Sequence, residues 1–533
     1  MTYAHHNPVR DFPPPSAFGL PSKFHSWRPN QPDAITQAHD SPHPLVVQVQ
    51  PTGSGKSLCY MTLAALSGRT VILTSTKGLQ DQLMADFRDS TFTVADIRGR
   101  NSYRCRAASL GVWVSCDEGP CALGVKCELR HKGCEYYDAL ARARQADVVI
   151  TNYTCWMVNQ KGFLGEVDFL VCDEGHDVIN HILDSMHIGF RRQEVRHFTE
   201  WLSPDSGSGQ TIRWAESLKC AVEAETEDVA KGRKPVPPDA VKALVAIARK
   251  SKRLALFLAA PGDWVVDHQG DRVVFDPVWP TNMAEEFLYK GVPRVYMTSA
   301  TISPKVPELL GLDMGATEYS EWPSTFPVAN RRVLHIPTVR MDHRIDNAGF
   351  RLWLTRIDQI IRGRLDRKGI VHTVSYDRRT RIVNTSEYSR YMMAHESRTA
   401  AKVVGQFKSA APPRVLVSPS MVTGWDFPGA DCRYQIIGKL PFPDQRSKVD
   451  KARRALDPEW GPLQTMTQLV QMVGRGVRSE EDYCETFIID DHWSWFGNKF
   501  RKFAPAWFWD SVGRVSAIPK APGLGRRTGK GME

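Results

Sequence analysis

Leu45-Val46-Val47-Gln48-Val49-Gln50-Pro51-Thr52-Gly53-Ser54-Gly55-Lys56-Ser57 decides the fold. A short apolar strand runs into a glycine loop, and a helical stretch from Leu58 to Leu66 follows. Backbone N–H groups of such a loop point inward, and the helix dipole favours negative charge. Thr52, Gly53, Ser54 and Gly55 form the cradle, Lys56 reaches the β/γ-phosphates, and the Ser57 hydroxyl can ligate Mg²⁺. The usual spacing G-x-x-x-x-G-K-[ST] asks for Gly at position 50, where this chain has Gln50. A chance Gly-Lys-Ser before a helix is the competing reading, and the strand before the loop weighs against it. This is a nucleotide site.

With 533 residues the chain has room for about three or four domains. Its 42% hydrophobic content is ample for buried cores. The 69 basic against 59 acidic side chains leave a net charge of +10, which suits a polyanionic partner. An ordinary basic enzyme would carry the same balance. No apolar run comes near the ~18 residues of a membrane span, and the proline-rich N-terminus has no signal-peptide core. The expectation is therefore a cytoplasmic protein with reduced thiols and no membrane contact. Of 11 cysteines, Cys105, Cys116, Cys121, Cys127 and Cys134 crowd together, which reads as metal binding before disulfides.

Further near-continuous apolar runs fall at 70–74, 147–151, 168–172 and 294–298. Strands of this kind are buried on both faces, as in a parallel sheet, and helical stretches between them give an α/β layer fold. A second strand–helix series begins near 325, with strands at 370–375, 414–418, 433–437 and 485–489. Its leading helix carries Trp353, Ile357, Ile360 and Ile361 on one stripe. Residues 351–402 hold 12 Lys/Arg against 5 Asp/Glu, either a solvated face or the border of a nucleic-acid track. The expected divisions are an N-terminal arm (1–23), a first α/β domain in three parts (24–98, 141–177, 263–324) and a second (325–513). Two insertions interrupt the first, the cysteine segment at 99–140 and a helical segment at 178–262, where Val241, Leu244, Val245 and Ala248 recur at helical spacing. Two runs around Gln269-Gly270-Asp271 read as a hairpin leading back to the sheet. Residues 514–533 read as a basic, disordered tail.

Asp173-Glu174-Gly175-His176 ends the run at 168–172. Carboxylates at the carboxyl end of a parallel strand face the ligand crevice. Asp173 would hold Mg²⁺ through water and Glu174 would activate the attacking water. Paired with the glycine loop, the signal is strong.

In these residues the chain resembles the superfamily 2 iron–sulfur DNA helicases of the XPD/DinG family. Arg28 and Gln31 resemble the family's R-x-x-Q element near the nucleotide. Thr74-Ser75-Thr76 with Leu79–Leu83 resembles a strand-contacting motif, Asp173–His176 is similar to the DEAH box, and Ser299-Ala300-Thr301 matches motif III. Thr423–Gly429, containing Asp426, looks like motif V, and Gln471–Arg478 like motif VI. The match runs in order over roughly 24–490.

The resemblance implies two RecA-like P-loop motor domains, the first interrupted by an iron–sulfur domain and a helical Arch domain. It implies ATP, Mg²⁺ and a [4Fe–4S] cluster as cofactors. By likeness, Arg475 and Arg478 are arginine fingers in cis, Gln471 belongs to the same catalytic set, and Asp426 joins the nucleotide residues. Thr76, Lys77 and Tyr153 sit where the family contacts DNA, although Tyr153, like Trp156, can equally be core. Four thiolates suit zinc or iron–sulfur, and the spacing alone favours zinc; the family context reverses that in favour of the cluster. Its implied ligands are Cys105, Cys121, Cys127 and Cys134, with Cys116 spare and a rival set exchanging Cys121 for Cys116. The expected activity is ATP-driven 5′→3′ movement of a monomer on single-stranded DNA, with unwinding at single/double-strand junctions. A strand translocase without processive unwinding, or an ATPase switch, are the alternatives. The aromatics between Trp493 and Trp509 read as packing rather than base stacking.

Overall fold

The computed structural model describes residues 12–106, 114–131, 133–159, 162–234, 237–419, 425–444 and 446–523. Residues 1–11 of the expected arm, Thr423 and Gly424 of motif V, and residues 524–533 of the tail lie outside them.

The first motor is built on β1 (Leu45–Val49), β2 (Thr70–Thr74), β3 (Val94–Asp96), β4 (Val148–Asn152) and β5 (Phe169–Asp173). The chain then leaves this layer through β6 (Ile188–Arg191), β7 (Trp264–Gln269) and β8 (Arg272–Pro277). It returns as β9 (Arg294–Ser299) and β10 (Thr317–Glu321). The resulting sheet is parallel throughout, in the order β10-β1-β9-β5-β2-β4-β3. β1, β2 and β5 are buried along their whole length. Hence their unbroken Val/Leu/Ile runs, since both faces are covered by helices.

The second motor repeats the plan with β11 (Val333–Val339), β12 (Lys368–His372), β13 (Met392–Ala394), β14 (Arg414–Ser418), β15 (Tyr434–Ile437), β16 (Glu485–Asp490) and β17 (Val512–Arg514). Its order is β13-β14-β12-β15-β16-β11-β17, again all parallel. The helix Asn347–Arg362 starts at Asp346, whose carboxylate accepts the Gly349 N–H at 2.7 Å. It buries the expected Trp353, Ile357, Ile360 and Ile361 stripe against this sheet. Each such side chain contributes roughly 1.5–3 kcal/mol.

The strand expected at 370–375 begins and ends two to three residues earlier. Lys368 opens it, buried, with its ammonium donating to Asp431 at 2.9 Å and to two carbonyls. Val374 lies past its end at φ 59°, a left-handed turn that a β-branched residue rarely takes. Arg364 is likewise hidden, forked onto Glu485 at 2.9 and 3.1 Å and stacked over Phe487. Removing one partner of a buried pair strands the other charge. Arg364→Ala is therefore expected to destabilise the second motor by about 3–5 kcal/mol, read as a lower urea midpoint.

The hairpin β7–β8 does not join the large sheet. It pairs antiparallel with β6 in a separate three-stranded sheet, so strand structure also occurs inside the stretch read as helical. Two long helices, Ser208–Ala230 and Pro238–Ala259, lie on it. Trp214 stacks on Phe275, and Phe257 meets the same ring edge-on. The second helix also reaches the cysteine segment, where Arg249 pairs with Asp117 at 2.9 Å and Lys242 with Glu118 at 2.7 Å.

The described part of the N-terminal arm is not loose. Phe12, Phe18 and Trp27 form an aromatic cluster, and Pro15 and Leu20 are buried. At the other end, residues 514–519 are tied down by Val515 N–H donating to His335 O and by Pro519 O accepting from Arg364. Trp493, Phe496, Trp507 and Phe508 pack as expected, and Trp495 alone of the set is 40% exposed. Among the described residues no helix is long and apolar enough to cross a membrane.

Candidate nucleotide site between two motor domains

The glycine loop follows β1, and the helix Lys56–Leu66 starts directly after it. Gly53 and Gly55 take φ of 77° and 80°, the left-handed region. Gly53 also has no room for a side chain, since a Cβ there would sit 2.5 Å from the Phe326 ring of the second motor. A Cβ on Gly474 would similarly come within 2.7 Å of Thr52. The two motors meet at the loop backbone itself.

Arg28 and Gln31 brace this loop. The Gln31 amide donates to Ser54 O and Gly55 O at 3.0 Å each, and Arg28 donates to Gly53 O. Gln31 is held in turn by the Arg28 N–H at 2.8 Å. Gln50 needs no glycine, because its φ is not positive and its N–H continues the ladder to Ser299 O at 3.0 Å. Its side chain instead enters a buried polar network, donating to Gln48 at 2.9 Å and to the Tyr296 hydroxyl at 3.3 Å.

Asp173 closes β5, one strand from β9, which pairs with β1. Its Oδ1 accepts the Glu174 N–H at 2.9 Å. Burial, reinforced by the neighbouring Glu174 charge, pushes its carboxyl up to about 7 against the pull of Lys56. Glu174 stands at φ 52°, an uncommon conformation for a non-glycine residue that costs about 1–3 kcal/mol and clusters at functional sites. Burial would raise its carboxyl too. The His176 hydrogen bond and the Lys56 charge outweigh that and hold Glu174 well below the usual carboxylate range.

Glu174 is connected across the cleft. Its Oε2 accepts from Ser299 Oγ at 3.0 Å, and His176 Nδ1 lies 2.7 Å from the same hydroxyl. Gln471 of the second motor donates to Thr301 Oγ1 at 2.9 Å and stands 3.5 Å from His176 Nδ1. One polar chain thus joins the carboxylate after β5, the end of β9 and the helix Trp460–Val473. Ser299, Thr301 and His176 entered the sequence reading as motif members without roles; the structure gives each a contact.

Arg475 and Arg478 follow that helix. Arg475 is buried, donates to Trp425 O, and burial depresses its guanidinium to about 10. Arg478 pairs with Asp426. Both arginines are held by the segment after β14 in this state.

Of the expected nucleic-acid contacts, Lys77 is exposed and Thr76 caps its helix by accepting the Leu79 N–H at 3.2 Å, both at the carboxyl edge of β2. Tyr153 does not present its ring to a strand. It is 1% exposed, stacks on His181, and its hydroxyl donates to Asp173 O at 2.8 Å. Trp156 donates to Leu288 O at 2.8 Å.

The cysteines share one small unit. Cys105 N–H donates to Val114 O and Cys116 N–H to Tyr103 O, each at 2.8 Å, which sets Cys105 and Cys116 on adjoining segments. Burial pushes the Cys116 thiol up, with Cys134, Cys105 and Cys121 adding to it. Burial also raises Cys121, beside Cys105, Cys127 and Cys134. Five thiols suit a thiolate-bound metal or cluster in type and number, while among the described residues no three of them converge tightly enough to hold a metal ion. Cys116 is as much a member of the group as Cys121.

Residues 28–196 match the family model described as DEAD/DEAH box helicase, and residues 364–508 match the helicase C-terminal domain. The curated ATP-dependent DNA helicase YoaA of Escherichia coli (strain K12) is 27% identical over a 217-residue alignment. That alignment takes in 28% of this chain and spans about a third (34%) of the relative. A solved structure titled XPD helicase superposes with a TM-score of 0.61 at 13% identity, covering 91% of this chain and 98% of that one. The Xpd4 structure of S. tokodaii gives 0.56 at 13% identity, covering 92% and 100%. The superpositions speak for the fold, and the two domain matches for the motor halves in their proper order. The two matched domains are those of a DEAD/DEAH box helicase followed by a helicase C-terminal domain, and the fold that carries them is the one the XPD structures share.

Proposed function

We propose that this chain is an ATP-driven motor that moves 5′→3′ along single-stranded DNA and unwinds duplex at single/double-strand junctions. The observation that carries the reading is the continuous polar chain from Glu174 through Ser299 and His176 to Gln471 and Thr301. A change at the γ-phosphate is felt by both motors at once through such a connection. Lys56, Ser57 and Asp173 would hold the triphosphate and its Mg²⁺, which neutralises developing charge when bound. Glu174 takes a proton from the attacking water. Arg475 and Arg478 would exchange their present partners, Trp425 O and Asp426, for the γ-phosphate, closing the cleft. The relative's printed activity, an ATP-dependent DNA helicase, supports the choice of DNA.

Cys105, Cys121, Cys127 and Cys134 are proposed to hold a [4Fe–4S] cluster, which would stiffen the domain that assists strand separation. The helical hairpin with its three-stranded sheet would be the Arch.

The test is ATP turnover with and without single-stranded DNA, beside unwinding of duplexes with 5′ or 3′ tails. The expected result is strong stimulation by DNA and unwinding of the 5′-tailed duplex. Since most contacts would be to phosphate, binding should weaken log-linearly with salt and vary little with base sequence. Stimulation without unwinding would leave a translocase. Turnover indifferent to DNA would overturn the motor reading in favour of an ATPase switch.

A further inference from the structure

The helix after the glycine loop carries a buried side chain that none of the nucleotide motifs includes. Tyr60 lies one turn beyond Ser57 and is fully buried. Its hydroxyl stands between two groups assigned to the metal, 3.2 Å from Ser57 Oγ and 3.3 Å from Asp173 Oδ2. With Asp173 ionised, the form that holds a metal, its oxygen can only accept, so the single Tyr60 proton goes to Asp173 and the Ser57 O–H donates to the Tyr60 oxygen. Asp173 Oδ1 is already engaged by the Glu174 N–H at 2.9 Å, so the two contacts together fix the plane of the carboxylate.

We propose that Tyr60 is a positioning residue for the metal of the nucleotide site. The relay turns the Ser57 proton away from the loop and leaves the serine lone pairs free for a cation. It also keeps Asp173 from rotating. The competing account is simple packing, since the ring lies in a cluster with Cys59, Met61, Leu63 and Tyr296. A phenylalanine would satisfy the packing account completely and the relay not at all.

Tyr60→Phe therefore separates the two. The measurement is the affinity of the full chain for a fluorescent ATP analogue in EDTA and across a Mg²⁺ titration. Mn²⁺ binding in the presence of ADP, read by electron paramagnetic resonance, is the second readout. Partners that orient metal ligands are typically worth 10–100-fold in metal affinity. The expected result is unchanged metal-free nucleotide binding, with the Mg²⁺ and Mn²⁺ requirement raised on the order of tenfold. Metal titrations that superimpose on the wild type would overturn the proposal. Equal weakening with and without metal would also overturn it and make Tyr60 a packing residue. The inference rests on the nucleotide-site reading, and the wild type tests that separately. A wild type whose nucleotide binding ignored Mg²⁺ would sink both, whereas a Mg²⁺-dependent wild type beside an indifferent Tyr60→Phe would sink only this one.

Discussion

Glu174→Gln is expected to bind ATP as the wild type does and to hydrolyse it 10²–10⁴-fold more slowly, on the order of what a positioned general base contributes. The substitution changes almost no volume. It replaces an oxygen that can take a proton with an amide that cannot. The neighbours show why the geometry is already set for this work: Ser299 Oγ donates to Oε2 at 3.0 Å, and the left-handed backbone at 174 aims the side chain. His176 and Lys56 hold the carboxyl below the usual carboxylate range, which favours the ionised form a base requires. Lys56→Ala should behave differently, losing ATP affinity together with turnover, because it removes a phosphate ligand rather than the base. Phosphate release and binding of a fluorescent ATP analogue distinguish the pair. Wild-type turnover in Glu174→Gln would show that another group activates the water.

The contrast between these two residues and Tyr60 shows what the sequence could reveal. Lys56 opens a helix after a strand and glycine loop, and Glu174 follows a strand end beside Gly175, places where spacing carries chemical meaning. Tyr60 sits within Leu58–Leu66, where every residue but Thr62 is apolar and the ring looks like one more core side chain. Only the fold brings Asp173, 113 residues away, to meet it. Tyr153 failed in the opposite direction. Its position matched a strand contact, yet burial and the Asp173 carbonyl claimed it for the core. The parallel core strands were legible because both of their faces are covered. The edge strand β10, Thr317–Glu321, was not, since it is half-exposed and nearly free of aliphatic residues. β11 was hidden by His335 and Pro337 within its run. Lys368 and Arg364 read as part of a basic run, a solvated face or a nucleic-acid border, because nothing local announces the Asp431 and Glu485 that neutralise them. The hairpin around Gly270 was visible, but which sheet it joined depended on β6, 80 residues upstream.

The second large effect concerns the cysteines. Serine at Cys105, Cys121, Cys127 or Cys134 is expected to remove iron, visible absorbance and unwinding together, whereas Cys116→Ser should keep all three. The choice rests on order along the chain. Cys134 opens the helix Glu135–Gln145, which leads into β4, and Cys105 follows the turn Arg100–Ser102. These two ends are anchored by structure on either side. Between them, Cys121, in the short helical turn Pro120–Leu123, and Cys127 are half-exposed, while Cys116 is 1% exposed and spends its thiol on Arg104 O at 3.2 Å. A thiol already satisfied by backbone is the cheaper one to leave out of a cluster, because recruiting it would break that contact. Against this, Cys116 lies against Cys134, so the rival set differs by a small rotation of one segment. Iron content and absorbance of anaerobically purified variants decide between them. A colourless Cys116→Ser protein beside a brown Cys121→Ser protein would exchange the two ligands, and stoichiometric zinc in the wild type would replace the cluster with a structural metal.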